Sequence, residues 1–206
     1  MREHRQGSLS PASPALAGRF IEDALRNPHN RALLAGLPAL ALPVAWLVAG
    51  CLFQSVWNLQ GGRPPEAGIR DYDLFYFDAT DLSAQAERQV DERVQRHFSG
   101  LPVTIETKNQ ARVHTWYAEY FGGSYAASLC AQDGIDRFLV DCTCVGLQPG
   151  EGLPTLYAPY GLQALYEGVL RPNPRCHQPR LYAAKAADYR ARWPWLTVLD
   201  SFAGSA

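Results

Sequence analysis

Apolar and polar residues alternate with a period of two along Ile69-Arg70-Asp71-Tyr72-Asp73-Leu74-Phe75-Tyr76-Phe77, which predicts a strand over 69–77. Val103-Thr104-Ile105-Glu106-Thr107 alternates in the same way. Residues Leu82, Ala86, Val90, Val94 and Phe98 instead recur every four positions, the spacing of a helix face, and Asp81 is placed to cap it. Helices are expected over 18–26 and 29–35, parted by Asn27-Pro28. A strand over 44–48 leads through Gly50 into a helix over 52–59. Further on, the pattern predicts helices over 110–121 and 130–138, a hairpin of 142–148 with 155–158, and helices over 162–170 and 179–193. Strands and helices mix within one module, so the fold class expected is α+β: a mixed β-sheet flanked by helices, with a C-terminal hairpin and helices. Residues 17–200 are expected to form a single domain, after a disordered tail over 1–16 that is charged and then rich in Ser, Pro and Ala.

Composition narrows the function classes. The chain has 206 residues, 47% hydrophobic and 19% charged, with a formal net charge of -1. That size allows a full core, and the charge gives no case for a polybasic membrane binder or a nucleic-acid coat protein. Residues 32–62 hold no charged residue, but Pro38 and Pro43 interrupt them, and Gln54, Asn58 and Gln60 make the second half amphipathic. They read as buried segments rather than a membrane span. The five cysteines include no CxxC pair. Cys142-x-Cys144 with Cys176-His177 lacks the tight paired spacing of structural zinc, so reduced thiols in a cytoplasmic protein are expected.

The chemistry sits on the alternating strands. Asp71 and Asp73 are two residues apart, so they point the same way and repel each other among Phe75, Tyr76 and Phe77. Facing water would relieve them; so would a divalent cation, and paired carboxylates holding one most often handle phosphate chemistry. Glu106 points away from Val103 and Ile105. It is either the solvated face of its strand or, if that strand lies beside the acidic one, a third carboxylate. Val48-Ala49-Gly50-Cys51 is a small-residue turn from strand to helix, where backbone N–H groups can approach phosphate.

Several segments in order resemble a bacterial nucleotidyltransferase family of unknown substrate, within the polymerase-β-type nucleotidyltransferase superfamily. They are VAGCLFQSVWN at 48–58, GRPPEAGIRDYDLFYFD at 62–78, NQARVHTWY at 109–117, YAPYG at 157–161 with RPNP at 171–174, and AKA at 184–186 with RWPWL at 192–196. The resemblance covers residues 31–199. It implies transfer of a nucleoside monophosphate from an NTP to a hydroxyl with Mg²⁺ or Mn²⁺. By position it makes Asp71 and Asp73 metal ligands, Glu106 the third carboxylate, and Gly50 and Cys51 the triphosphate turn. Cys51 departs from the Gly or Ser usual there. Lys185, one of two lysines, could reach triphosphate or lie along the surface. Asn109, Arg112 and His114 could touch nucleotide or acceptor, while Trp116, Tyr117, Trp193 and Trp195 are expected in the core. The acceptor is left open between a small molecule, a protein hydroxyl and an RNA end. Two other readings stand beside this one: a non-catalytic nucleotide- or partner-binding module, and a metal-dependent phosphoesterase on the same carboxylates.

Overall fold

The computed structural model describes residues 13–121 and 125–199. The tail expected over 1–16 lies outside the described residues as far as residue 12. From there α1 (Pro14–Leu25) begins, four residues earlier than expected, because the Ser13 hydroxyl accepts a 3.3 Å hydrogen bond from the Leu16 N–H and Pro14 suits the first helical position. Asn27 starts α2 (Pro28–Gly36) by accepting from the His29 N–H at 2.9 Å.

Next come β1 (Trp46–Val48), α3 (Gly50–Gln60), β2 (Asp71–Tyr76), α4 (Ala84–His97) and β3 (Thr104–Asn109). They are followed by α5 (Tyr117–Phe121), α6 (Gln132–Ile135), β4 (Gly146–Gln148), β5 (Thr155–Tyr157) and α7 (Gln163–Glu167). β6 (Val169–Leu170), α8 (Pro179–Arg192) and β7 (Thr197–Val198) are the last elements of the described residues. The main sheet runs β3-β2-β1-β4-β5, with β2 and β3 parallel and the other neighbours antiparallel. A mixed sheet with helices is therefore what the chain forms.

Alternation decides what each face carries. Leu47, Tyr72, Leu74, Ile105 and Leu147 join α1, α2 and α3 in the main core. The opposite face carries Trp46 and Val48, packed with Ala131, Ile135 and Phe75. α4 spans the parallel β2–β3 crossover and covers the outer edge of β3. Its Gln95 donates to the Ile105 carbonyl at 2.7 Å, and its Glu87 accepts from the Asn109 N–H at 2.9 Å. An aromatic cluster holds α8 against α3: Phe53 and Trp57 meet edge-on at 4.7 Å, Trp57 and Trp193 at 5.3 Å, and the Trp193 indole donates to Asn58.

Four local expectations need correction. Ser83, not Asp81, caps α4; Asp81 instead accepts from the Ser83 N–H in the preceding turn. The helix over 110–121 is only a 3-10 turn and the short α5: β3 and its ladder take the chain as far as Gln110, whose N–H binds the Tyr76 carbonyl, and the Thr115 and Trp116 N–H groups then bond three residues back rather than four. The helix over 162–170 stops at Gly168, whose φ of 69° breaks it, and Val169–Leu170 pairs with β7 instead. The hairpin is shorter than expected, with β4 starting at Gly146 after a 3-10 turn. Among the described residues no helix is long and apolar enough to cross a membrane.

Candidate active site

Register brings the site together. Val48 pairs with Asp73 across β1 and β2, and Asp73 pairs with Glu106 across β2 and β3. The strand of Glu106 thus lies beside the acidic strand, and paired residues share a face. The turn after Val48 starts α3 next to the aspartates. Ala49 takes φ 60°, ψ -130°, a strained backbone for a residue with a Cβ, while its N–H is anchored on the Val145 carbonyl at 3.1 Å. Beyond it the first N–H groups of α3 have no carbonyl within the helix to bind, which is the arrangement that receives anions. A Cβ on Gly50 would sit 2.7 Å from the Gln54 amide nitrogen, so only glycine fits with Gln54 in place.

A cavity of about 330 Å³ opens there, bounded by Gly50, Gln54, Asp71, Asp73, Arg137 and Lys185. The Lys185 ammonium reaches it from α8, 5.3 Å from the Tyr189 ring. Burial first, then the charges of Asp71 and Glu106, opposed by Lys185 and Lys108, together push the Asp73 carboxyl up to about 7. Such a carboxylate is short of positive charge.

Two sequence-derived residues stand apart from this cavity. Cys51 is wholly buried behind the turn, with its thiol directed to the Val48 carbonyl at 3.4 Å. Burial raises its pKa well above the ordinary value, and the Asp73 and Asp71 charges add to this, so the side chain fills space as a neutral thiol. Glu106 is exposed on the edge strand, over a shallow depression shared with Glu87, Arg88 and Asp91. Among the described residues no group of three or more His, Cys, Asp or Glu side chains is close enough to hold a metal ion. All five cysteines are free, and Cys142 and Cys144 are buried.

Asn109 and Arg112 are occupied by the fold rather than facing the cavity. Asn109 binds both the N–H and the carbonyl of Asp78, and Arg112 is ion-paired with Glu87 and donates to the Leu82 carbonyl. Trp193 is in the core as expected, but Trp195 is exposed, and Trp116 and Tyr117 line a second cleft of about 1070 Å³. This cleft shares Arg137 and Phe138 with the first cavity. Sequence reasoning missed Gln54 and Arg137. Gln54 was within reach, since it stands four residues after Gly50 and so on the same helix face. Arg137 carried no signal: its place comes from α6 folding over the sheet, where it lies 4.1 Å above the Tyr125 ring and donates to the Ala126 carbonyl.

Comparisons with known proteins agree with this fold. A solved structure described as an NMR structure revealing a CCA-adding enzyme head domain is similar over 88% of this chain and 95% of its own, with a TM-score of 0.71 and 25% identity. A search of curated proteins finds no match. A family model described as nucleotidyltransferase matches residues 36–198, and the chain belongs to that family: it is a nucleotidyltransferase.

Proposed function

We propose that this nucleotidyltransferase moves a nucleoside monophosphate from an NTP to an acceptor hydroxyl with Mg²⁺ or Mn²⁺, using Asp71, Asp73 and Glu106. The reading is carried by one observation: the helix-start turn at Gly50 and the Asp71/Asp73 pair border one cavity, with Lys185 at its rim and Glu106 in register on the next strand. The donor set suits the ion. Two neighbouring carboxylates supply hard oxygens, and Asp73 is raised by burial and then by the charges of Asp71 and Glu106, a cost that a cation would offset. Mg²⁺ commonly takes one or two carboxylates and completes its shell with phosphate and water, so a cage of three acids is not required. Asp71 and Asp73 would hold it, with Glu106 joining from β3. When bound, the ion would lower the pKa of the acceptor hydroxyl and offset charge on the leaving pyrophosphate.

The chain's own groups do the rest. The N–H groups at Gly50 and Cys51 and the Lys185 ammonium bind the triphosphate and fix its α-phosphorus over the aspartates. The acceptor oxygen forms a bond to that phosphorus, and the bond from it to the bridging β-oxygen breaks. Pyrophosphate leaves with the electron pair, and the hydroxyl proton is released to water. Five free thiols fit a reducing cytoplasmic setting.

The test supplies each of the four NTPs, labelled at the α-phosphate, with Mg²⁺ or Mn²⁺ and a panel of hydroxyl acceptors. The expected result is a labelled acceptor and one pyrophosphate for each transfer, absent in Asp71→Ala/Asp73→Ala. Failure of the wild-type chain to bind any NTP overturns the reading. Nucleotide breakdown without a labelled acceptor would point to hydrolysis instead.

A further inference from the structure

We infer that the second cleft receives the acceptor and that this acceptor is nucleotide-bearing: one or a few unpaired nucleotides ending in a free hydroxyl. The inference rests on the transfer reading above. Continuity is its first support. Two residues beyond Asp73 and Glu106, on the same sheet face, come Phe75 and Lys108, and both line the cleft. The two spaces share Arg137 and Phe138 as their common wall. A hydroxyl at the aspartates therefore leaves the remainder of its molecule over Phe75 and Lys108.

Charge is the second support. Lys108, Arg137 and Arg175 line the cleft beside the His177 ring, and no carboxylate does among the described residues. Arg175 is paired with Asp136, whereas Lys108 and Arg137 form no ion pair among the described residues. The net charge of -1 over the whole chain thus hides a locally cationic cleft. A polyanion responds to this local field, because screening limits charge effects to about 10 Å.

Shape is the third. Phe75 and Phe138 meet at 5.9 Å, and Trp116 and Tyr117 add further ring surface. Aromatic faces flanked by cations bind single-stranded nucleic acid by stacking and charge, with little demand on sequence. At about 1070 Å³ the cleft is at the upper end of small-molecule sites, which run to about 1,000 Å³, and so exceeds what a lone small alcohol needs.

The test separates binding from chemistry. The full chain is titrated, with EDTA and no NTP, into a fluorescein-labelled single-stranded RNA of about six nucleotides, a length within one binding module's site size. Anisotropy should rise, weaken with salt, and fall by about tenfold or more in affinity in Lys108→Glu and His177→Glu. Lys108→Gln, a milder change, should fall less, and thermal melts check that each variant is folded. Asp73→Asn should bind as well as wild type while transferring nothing. A parallel arm with a dinucleotide distinguishes a free nucleotide acceptor from an RNA end, and labelled NTP should then mark the 3′ terminus of whichever binds. Transfer to a protein or simple alcohol, with neither RNA nor dinucleotide bound, overturns this inference and leaves the transfer reading standing. Unchanged binding in folded Lys108→Glu and His177→Glu overturns the cleft as its location. RNA bound with no pyrophosphate released from any NTP overturns the transfer reading, and the acceptor role with it.

Discussion

Arg192 donates a 2.8 Å hydrogen bond to the side-chain oxygen of Gln54, joining the last turn of α8 to the start of α3. The same guanidinium nitrogen binds the Gly68 carbonyl at 2.7 Å. Gln54 is therefore held, and its amide leans over Gly50 at the mouth of the cavity. The turn is kept open from a helix 138 residues away in sequence.

Gly50→Ala should consequently cost more than a surface alanine does. The new Cβ meets a tethered amide at 2.7 Å, and crowding of this kind typically costs about 1–3 kcal/mol. Thermal melts and NTP titration should show a lower Tm and weaker nucleotide binding. Adding Gln54→Ala should restore most of the Tm.

Asp73 makes stability depend on pH with a defined sign. Its folded value is about 7 against an ordinary 3.8, so the folded chain holds this proton more tightly than the unfolded chain does. The stabilisation is full below about 3.8 and is lost as pH rises toward 7. Without metal the protein should therefore melt at a lower temperature at pH 8 than at pH 5, and Asp73→Asn should flatten that part of the profile. Metal requires the ionised carboxylate, so Mg²⁺-dependent NTP binding should strengthen as pH rises through 7, an opposite trend readable by calorimetry.

Glu87 balances a buried charge. Its carboxylate pairs with Arg112 and also accepts from the Asn109 N–H, with both side chains little exposed. Glu87→Gln would leave the guanidinium uncompensated, and losing one partner of a buried pair costs about 3–5 kcal/mol. Urea unfolding should show a loss of that order, and Arg112→Met in addition should recover part of it.

Ala49 offers a test in the stabilising direction. A helix-interior Ala→Gly change usually loses about 0.5–1 kcal/mol, but a strained backbone here stores about 1–3 kcal/mol that glycine would release. Ala49→Gly should leave the Tm unchanged or raise it. Looser positioning of the turn should show as weaker NTP binding.

What the chain discloses in advance follows from where its signals are local. Tyr72, Leu74 and Tyr76 are buried and alternate with Asp71 and Asp73, so β2 and the shared direction of its acids can be read directly. The parallel pairing with β3 cannot, because register is a property of two distant segments; only the structure sets Glu106 opposite Asp73. The expected helix after Asn109 failed because the sheet ladder holds the chain as far as Gln110 and the bonds that follow close three residues back, which no periodicity records. β6 and β7 have two residues each, too few for alternation to appear. Cys51 and Gly50 read alike as small residues of one turn, yet one is buried behind it and the other lines the cavity. The acidic half of the site was thus legible, whereas Arg137 and the wide cleft emerge only when α6 lies over the sheet.

The helix over the outer border of β3 also bears on how copies of the protein meet one another. Gln95 and Glu87 occupy backbone groups of Ile105 and Asn109 that a visiting strand would otherwise use. A bare strand border is a template for fibrous self-association. Here the carboxylate-bearing strand can stand at the rim of its sheet, open to water, while those positions are closed to a second chain seeking to extend the ladder.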